Sequence, residues 1–148
     1  MKKVINKILL ATDFSDASQN ATYYALSLAK IHNAKLKVLH VFDAKVLGIP
    51  ANYFITDEQE NIEKTRQRGK ENLARLVDSF DIKVETIFAE GIAGREIIRI
   101  AADSGADLII LGTHGYTGWN RFAIGSIAEF VVRYSPCPVL TVPSNQEQ

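Results

Sequence analysis

The sequence has little of what several common classes of protein depend on. It contains one cysteine, Cys137, so no disulfide can form within the chain, which is typical of a reducing compartment. The longest apolar runs, such as Leu108–Leu111, are far shorter than the ~20 residues of a membrane helix. Asn6, Lys7 and Asp13 interrupt the apolar stretch near the N-terminus, so it does not resemble an export signal. We therefore expect a cytoplasmic protein with no membrane partner.

The chain also lacks an excess of charge of either sign. Its 17 Lys and Arg residues balance 17 Asp and Glu residues, whereas a protein with a broad nucleic-acid footprint is usually basic. Its 9 glycines and 4 prolines are too few for a low-complexity chain, and 47% of its residues are hydrophobic, as in ordinary folded domains. The length of 148 residues predicts a single domain over 1–148. The balanced charge predicts no nucleic-acid partner.

What the sequence does have is a regular alternation of short apolar segments and longer amphipathic ones. The apolar segments predict five strands, at 7–12, 36–42, 82–88, 107–111 and 139–142. The amphipathic segments predict four helices, at 16–32, 56–79, 94–104 and 126–134. Strands separated by helices lie parallel with right-handed crossovers. This predicts an α/β fold in which helices cover both faces of an open, twisted, parallel sheet.

The apolar pattern also predicts the order of the strands. The first and fourth are the most apolar and belong at the centre, whereas the third alternates apolar and polar residues, as an edge strand does. The resulting order, 3-2-1-4-5, puts the switch point between the first and fourth strands, where such sheets bind ligands. In the first helix, the spacing predicts one buried stripe, composed of Ala21, Tyr24, Ala25, Leu28 and Ala29.

Two segments converge on that switch point. The first carries Asp13, whose carboxylate could contact a ribose or a metal, or could brace the turn together with Thr12; position alone favours neither. The second is a glycine-rich segment from Gly112 to Gly125, followed by a helix start at Ser126. Glycines allow close backbone approach, and a helix N-terminus favours anions. Ser126 also has capping-box spacing to Glu129, which would make it the cap of its own helix.

Familiar nucleotide motifs are absent. The sequence has no G-x-x-x-x-G-K-[ST] and no G-x-G-x-x-G after the first strand, which excludes a P-loop and a dinucleotide site. The three histidines, His32, His40 and His114, lack metal-ligand spacing. No general base is evident beyond Asp13 or His114, so binding is favoured over catalysis.

These residues resemble the universal stress protein family. The resemblance spans the chain, from Ile8–Ser15 through the segment 106–115 to 136–140, and includes the pattern G-x-x-G, nine residues, then G-[ST] at Gly112, Gly115, Gly125 and Ser126. It implies a Rossmann-like fold of the adenine nucleotide alpha hydrolase type, binding of ATP (or AMP or ADP) with Mg²⁺ or Mn²⁺ as a possible companion, and a homodimer through the last strand, Val139–Val142.

The resemblance also implies roles for individual residues. Asp13 would meet the ribose or metal, Val41 and the Ala11–Thr12 backbone the adenine, and Gly112 the ribose, while Gly115, Gly125 and Ser126 would hold the phosphates. The full candidate nucleotide-binding set is Ala11, Thr12, Asp13, Val41, Gly112, Thr113, His114, Gly115, Gly118, Arg121, Gly125, Ser126 and Ile127.

Three functions remain open at this stage. The first is a nucleotide-binding stress-response regulator, the second a slow ATPase, and the third a chaperone-like dimer that needs no ligand. An unusually apolar segment, Asp43–Ile55, could serve as a lid over the site, meet a partner, or pack on a dimer mate.

Overall fold

The structure, a computed structural model, describes residues 4–43, 56–114 and 124–144, with the side chains of 56–59 left aside. Strands and helices alternate along the chain throughout the described ranges. The strands are β1 (Lys7–Ala11), β2 (Lys35–Phe42), β3 (Glu85–Glu90), β4 (Leu108–Gly112) and β5 (Val139–Val142), and the helices are α1 (Asp16–His32), α2 (Thr56–Asp78), α3 (Ala93–Ser104) and α4 (Ser126–Tyr134).

The five strands form one parallel sheet in the order β3-β2-β1-β4-β5, which confirms the predicted fold. The central strands β1 and β4 pair directly, with Leu9 opposite Ile109, and both residues are fully buried. Strands buried on both faces have continuous apolar sequences, which is why composition alone was enough to place these two at the centre.

The sheet separates two hydrophobic clusters, one on each face. Small residues of α1 pack on the first face with alternate residues of the strands, and α2 adds Leu73. Residues of α3 and α4 pack on the second face, including Ile97 and Val131. Side chains alternate between faces along a strand, so neighbours such as His40 and Val41 point to opposite layers.

The predicted buried stripe of α1 is wrong at one position. Ala21, Ala25 and Ala29 are buried, but Tyr24 is 51% exposed and Leu28 is only partly buried. The alanines bring the helix axis close to the sheet, which leaves Tyr24 on the flank. Asn20, on the same flank, donates from Nδ2 to the Pro143 carbonyl just after β5 (2.7 Å), so this flank lies beside the outer strand rather than over the core.

The third strand begins later than its alternating pattern predicts, at Glu85 instead of Ile82. Ile82 and Val84 pack against the core from outside the strand, so their apolar character reflects burial and not pairing. The ladder with β2 starts where Lys37 faces Glu85 and ends where Phe42 faces Glu90. The predicted edge position is confirmed.

Two helices end at residues in the left-handed conformation, Asn33 (φ 51°) and Gly105 (φ 65°), as common helix C-caps do. Across the described ranges, none of the helices combines the length and apolar composition required to cross a membrane.

Candidate functional site

The turn between β1 and α1 is held by its own polar side chains. Thr12 is buried and its hydroxyl accepts the Phe14 N–H (3.0 Å). The Asp13 Oδ1 accepts from the Ser15 N–H (3.0 Å) and from the Ser18 hydroxyl (2.7 Å). The bracing role considered for Asp13 and Thr12 is therefore confirmed. Both bonds use Oδ1, so within the described residues Oδ2 of Asp13 has no hydrogen-bond partner.

Helix α1 has a side-chain cap at this turn. Its N-cap is Ser15, whose hydroxyl accepts from the Ser18 N–H (3.3 Å), as N-cap serines do. The carboxylate of Asp16 lies in the first turn, where it complements the positive end of the helix dipole. The N-terminus of α1 therefore has its own protein partners.

Helix α4 begins differently. Its N-cap is Gly125, with no side-chain hydrogen bond to the first turn, and Ser126 is the first helical residue. The predicted capping box is thus wrong, because Ser126 stands one position too late to cap the helix. The N–H groups of the first helical residues have no carbonyl partner within a helix. Those of Ser126 and Ile127 have no backbone partner among the described residues.

Gly125 itself is committed to packing. Its N–H donates to the Thr113 carbonyl (2.6 Å) and is thus engaged within the chain. A Cβ on Gly125 would lie 2.9 Å from the same oxygen, a distance that a side chain cannot tolerate. The glycine thus allows α4 to start directly against the end of β4.

Gly112 has a similar role on the other side of β4. A Cβ there would lie 2.8 Å from Cβ of Ala17 and 3.0 Å from the backbone nitrogen of Ser18. The end of β4 therefore contacts the first turn of α1. Ser18 also donates to Asp13, and Thr113, the residue after Gly112, accepts from the Gly125 N–H. A continuous set of contacts therefore joins the β1–α1 turn to the N-terminus of α4.

Ala11 and Val41 lie on the α3/α4 face of the sheet. Ala11 is buried and Val41 packs partly buried against the same cluster. They occupy neighbouring strands, because Ala11 pairs with Leu39 in the β1–β2 ladder. The structure thus places these two candidates near the same end of the sheet as Asp13, as the prediction requires.

Thr113 and His114 follow β4, and Thr113 ties its end to β5. The Thr113 N–H donates to the Val142 carbonyl (2.8 Å), and the Thr113 hydroxyl lies 3.0 Å from Nδ1 of His114. His114 thus contacts the Thr113 side chain in the turn after β4. Three other candidates, Gly115, Gly118 and Arg121, lie outside the described residues, as does the apolar segment after Asp43.

Sequence reasoning gave no role to His40, which the structure brings to the β1–α1 turn. Its Nδ1 lies 2.8 Å from the Thr12 carbonyl oxygen. Burial lowers the pKa of His40, an effect that its contact with the Thr12 carbonyl and the charge of Asp13 partly oppose. No spacing in the sequence links His40 to Thr12, because the contact depends on the pairing of β1 with β2.

The described residues contain no group of three or more His, Cys, Asp or Glu side chains that could hold a metal ion. A shallow cleft of about 410 Å³ lies between β3 and α3, away from the switch point. Its charged side chains already pair, Lys37 with Glu85 and Arg99 with Glu96 and Asp103. We therefore place the candidate site at the switch point and not in this cleft.

The fold and the site define an open parallel α/β protein whose carboxyl-end crevice holds the N-terminus of α4, which no side chain of the described residues caps. Residues 5–143 match the Universal stress protein family, and the chain belongs to that family. Universal stress protein MJ0531 of Methanocaldococcus jannaschii is 31% identical over 148 residues, a match that covers 99% of this chain and 87% of the relative.

Solved structures agree. The structure of MJ0577, a universal stress protein of the same organism, has a TM-score of 0.78 and 29% identity, and covers 98% of this chain and 100% of its own. A universal stress protein in complex with cAMP has a TM-score of 0.62 and 23% identity, with 97% of this chain and 100% of the other covered. The latter similarity shows the fold.

Proposed function

We propose that the protein is an adenine-nucleotide-binding regulator of the stress response, which binds ATP (or AMP or ADP) and acts through nucleotide-dependent conformation or partner contacts. The observation that carries the proposal is the contrast between two helix N-termini at one end of the sheet. Ser15 caps α1, whereas no side chain of the described residues caps α4. Membership of a family in which a relative is described in complex with cAMP supports an adenine nucleotide as the ligand.

The phosphates belong at α4 because an uncapped first turn offers N–H donors and the positive end of the helix dipole. We assign this role to the amides of Ser126 and Ile127, together with the Ser126 hydroxyl. Gly125 contributes by letting α4 start close to Thr113, not by donating its own N–H.

The nucleoside belongs beside β1 and β2. In the proposal Asp13 accepts from the ribose with Oδ2, the oxygen that its internal bonds leave available. Ala11, Thr12 and Val41 contact the base, with Gly112 beside the ribose. We expect Mg²⁺ or Mn²⁺ to arrive with the phosphates, since Mg²⁺ is commonly held by phosphates and one or two carboxylates.

Two substitutions at one position test the phosphate assignment. Proline is well tolerated at the first position of a helix, and Gly125 before it has φ −64° and ψ 155°, which suits a residue preceding proline. Ser126→Pro thus removes the N–H and the hydroxyl while the helix persists. Ser126→Ala removes the hydroxyl alone and serves as the matched control.

Isothermal titration with ATP and AMP gives the readout. A hydrogen bond to a charged group contributes roughly 1.5–3 kcal/mol, so we expect Ser126→Pro to weaken ATP binding by about tenfold or more, and more than Ser126→Ala does. No heat of binding from the wild type at millimolar ATP would refute the nucleotide proposal. Equal affinities of wild type and Ser126→Pro would refute the assignment to α4.

We further propose that two chains pair through β5. This strand is at the edge of the described sheet, and open apolar edges invite pairing. The two helices that contact β5, α1 and α4, carry exposed apolar side chains, Tyr24 and Ile31 on α1 and Val132 on α4. A symmetric partner strand would cover the edge and these side chains together.

Proline at one position of β5 tests this pairing. The carbonyls of Pro138 and Val142 accept from Ile109 and Thr113 of the β4 side. Backbone groups of successive strand residues point to opposite sides, so those of Thr141, next to Val142, point toward the open edge. Thr141→Pro removes an outward N–H and leaves the ladder with β4 in place, whereas Thr141→Val keeps the N–H. Light scattering should give a dimer for wild type and Thr141→Val and a monomer for Thr141→Pro; a monomeric wild type would contradict the proposal.

A further inference from the structure

The half-buried side chain of His40 packs between three elements, the β1–α1 turn, β3 and α2. Its ring centroid lies 4.5 Å from that of Phe14 in the β1–α1 turn and 5.8 Å from that of Phe88 in β3. From α2, Gly69 packs so closely that a Cβ there would lie 3.3 Å from the Cδ2 and Nε2 atoms of the ring. A Cβ at 69 would make an unusually tight contact with the imidazole, so the glycine lets α2 pack closely against the ring.

The contact with Thr12 also fixes the proton on the ring. A carbonyl oxygen only accepts hydrogen bonds, so at 2.8 Å the Nδ1 atom of His40 is the donor and carries a proton. Burial lowers the pKa of His40, which favours the neutral ring with Nε2 unprotonated. Three charged groups lie around the ring. Asp13 is in the turn, and Lys70 of α2 lies over the Phe88 ring (5.4 Å). Arg66 of α2 lies over the Phe42 ring at the end of β2 and pairs with Glu63 and Glu90.

The turn that His40 contacts has an unusual backbone. Phe14 has φ 64°, in the left-handed region that bulky residues rarely adopt. Such conformations persist where surrounding contacts impose them, and they concentrate at functional sites. Here the contacts are the Thr12 hydroxyl on the Phe14 N–H, the Asp13 carboxylate on the Ser15 N–H, and the ring of His40 against that of Phe14.

We propose that His40 is a positioning residue for nucleotide binding: its Nδ1–H holds the Thr12 carbonyl and its ring supports Phe14, so that the left-handed turn presents Asp13 and the Ala11–Thr12 backbone to the nucleotide. The inference rests on the proposed function above. His40 itself faces the α1/α2 layer, opposite to Ala11 and Val41, and so acts through the turn without touching the ligand.

Two substitutions separate the hydrogen bond from bulk. His40→Asn places an amide N–H near the position of Nδ1, whereas His40→Leu keeps apolar volume and removes the donor. Leaving the buried Thr12 carbonyl unpaired should shift the equilibrium away from the native turn by roughly tenfold. We therefore expect His40→Leu to weaken ATP binding by about tenfold. His40→Asn should recover most of that loss. Val38→Ala, on the same face of β2 and fully buried, is the control that loses stability without touching the turn.

The measurements are the ATP dissociation constant, taken by titration where every variant is fully folded by circular dichroism, and amide hydrogen exchange at Phe14 and Ser15 without nucleotide. His40→Leu should speed exchange at these two amides, while Val38→Ala should change neither their relative protection nor the affinity. If the wild type fails to bind ATP, the proposed function is wrong, and the exchange data still test whether His40 holds the turn. Wild-type affinity and exchange in His40→Leu, or equal losses in both His40 variants and Val38→Ala, would overturn the inference.

Discussion

The substitution Gly112→Ala tests whether this glycine serves packing before it serves any ligand. The added Cβ would lie 2.8 Å from Cβ of Ala17, 2.9 Å from its carbonyl carbon and 3.0 Å from the Ser18 nitrogen. Carbon atoms normally approach to about 3.5–4.0 Å, so β4 and α1 must move apart. Two of the three atoms belong to the backbone and cannot rotate away.

The size of the effect follows from the cost of overpacking. Extra methyl groups in a packed region destabilise by roughly 1–3 kcal/mol, and each kcal/mol shifts the Tm of a chain of this size by about 2–4 °C. We therefore expect Gly112→Ala to lower Tm by roughly 2–12 °C in the absence of nucleotide. Thermal unfolding followed by circular dichroism measures this directly.

A second substitution shows which atoms are responsible. Ala17→Gly removes the Ala17 Cβ and leaves the two backbone contacts, so the double variant should remain less stable than Ala17→Gly alone. Complete rescue would mean that the Cβ contact accounts for the whole effect. A Gly112→Ala protein that melts with wild type would refute the packing argument and leave Gly112 with only its expected ribose contact.

Three further predictions concern stability. The lowered pKa of His40 means that the folded state binds fewer protons than the unfolded state, whose histidine has a pKa of about 6.5. The free energy of unfolding, measured with urea, should therefore fall as the pH drops through and below that value. This pH dependence should be weaker in His40→Asn, which lacks the titrating ring. Ser15→Ala removes the N-cap side chain of α1 and should lower the free energy of unfolding in urea by about 1 kcal/mol. An unchanged urea midpoint would contradict this prediction. Gly94→Ala would place a Cβ 2.7 Å from the Phe130 ring and should destabilise the α3–α4 contact, an effect that Phe130→Leu should relieve if the ring is the obstacle.

The fold could be read from the sequence because its signals are local. The continuous apolar segments of β1 and β4 mark them as central, and the alternation in β3 marks it as an edge. The start of β3 could not be read, since pairing with β2 decides it and Ile82 is apolar only for burial. The prediction that Tyr24 is buried fails for a related reason. Helical periodicity identifies the face of α1 that packs on the sheet, but the width of the sheet determines whether residues at the edge of that face are buried.

The site was less accessible from the sequence. The glycines were recognised, but Gly112 and Gly125 are needed for contacts within the chain, which no linear motif reveals. A shift of one residue in the start of α4 turned Ser126 from a cap into the first helical residue, and helix boundaries are the least secure part of a sequence-based prediction. His40 was missed because its role depends on a contact between strands, 28 residues apart from Thr12.

The most direct test of the central claim is a titration of the ¹⁵N-labelled protein with ATP, followed through its backbone amide resonances. Phosphates bound at the uncapped start of α4 should shift the amides of Ser126 and Ile127 strongly, and the β1–α1 turn should respond at Asp13. Asp81, which pairs with Lys30 at the other end of α1, should not move. Saturable shifts that exclude Ser126 and Ile127, or no shifts at millimolar ATP, would contradict the account.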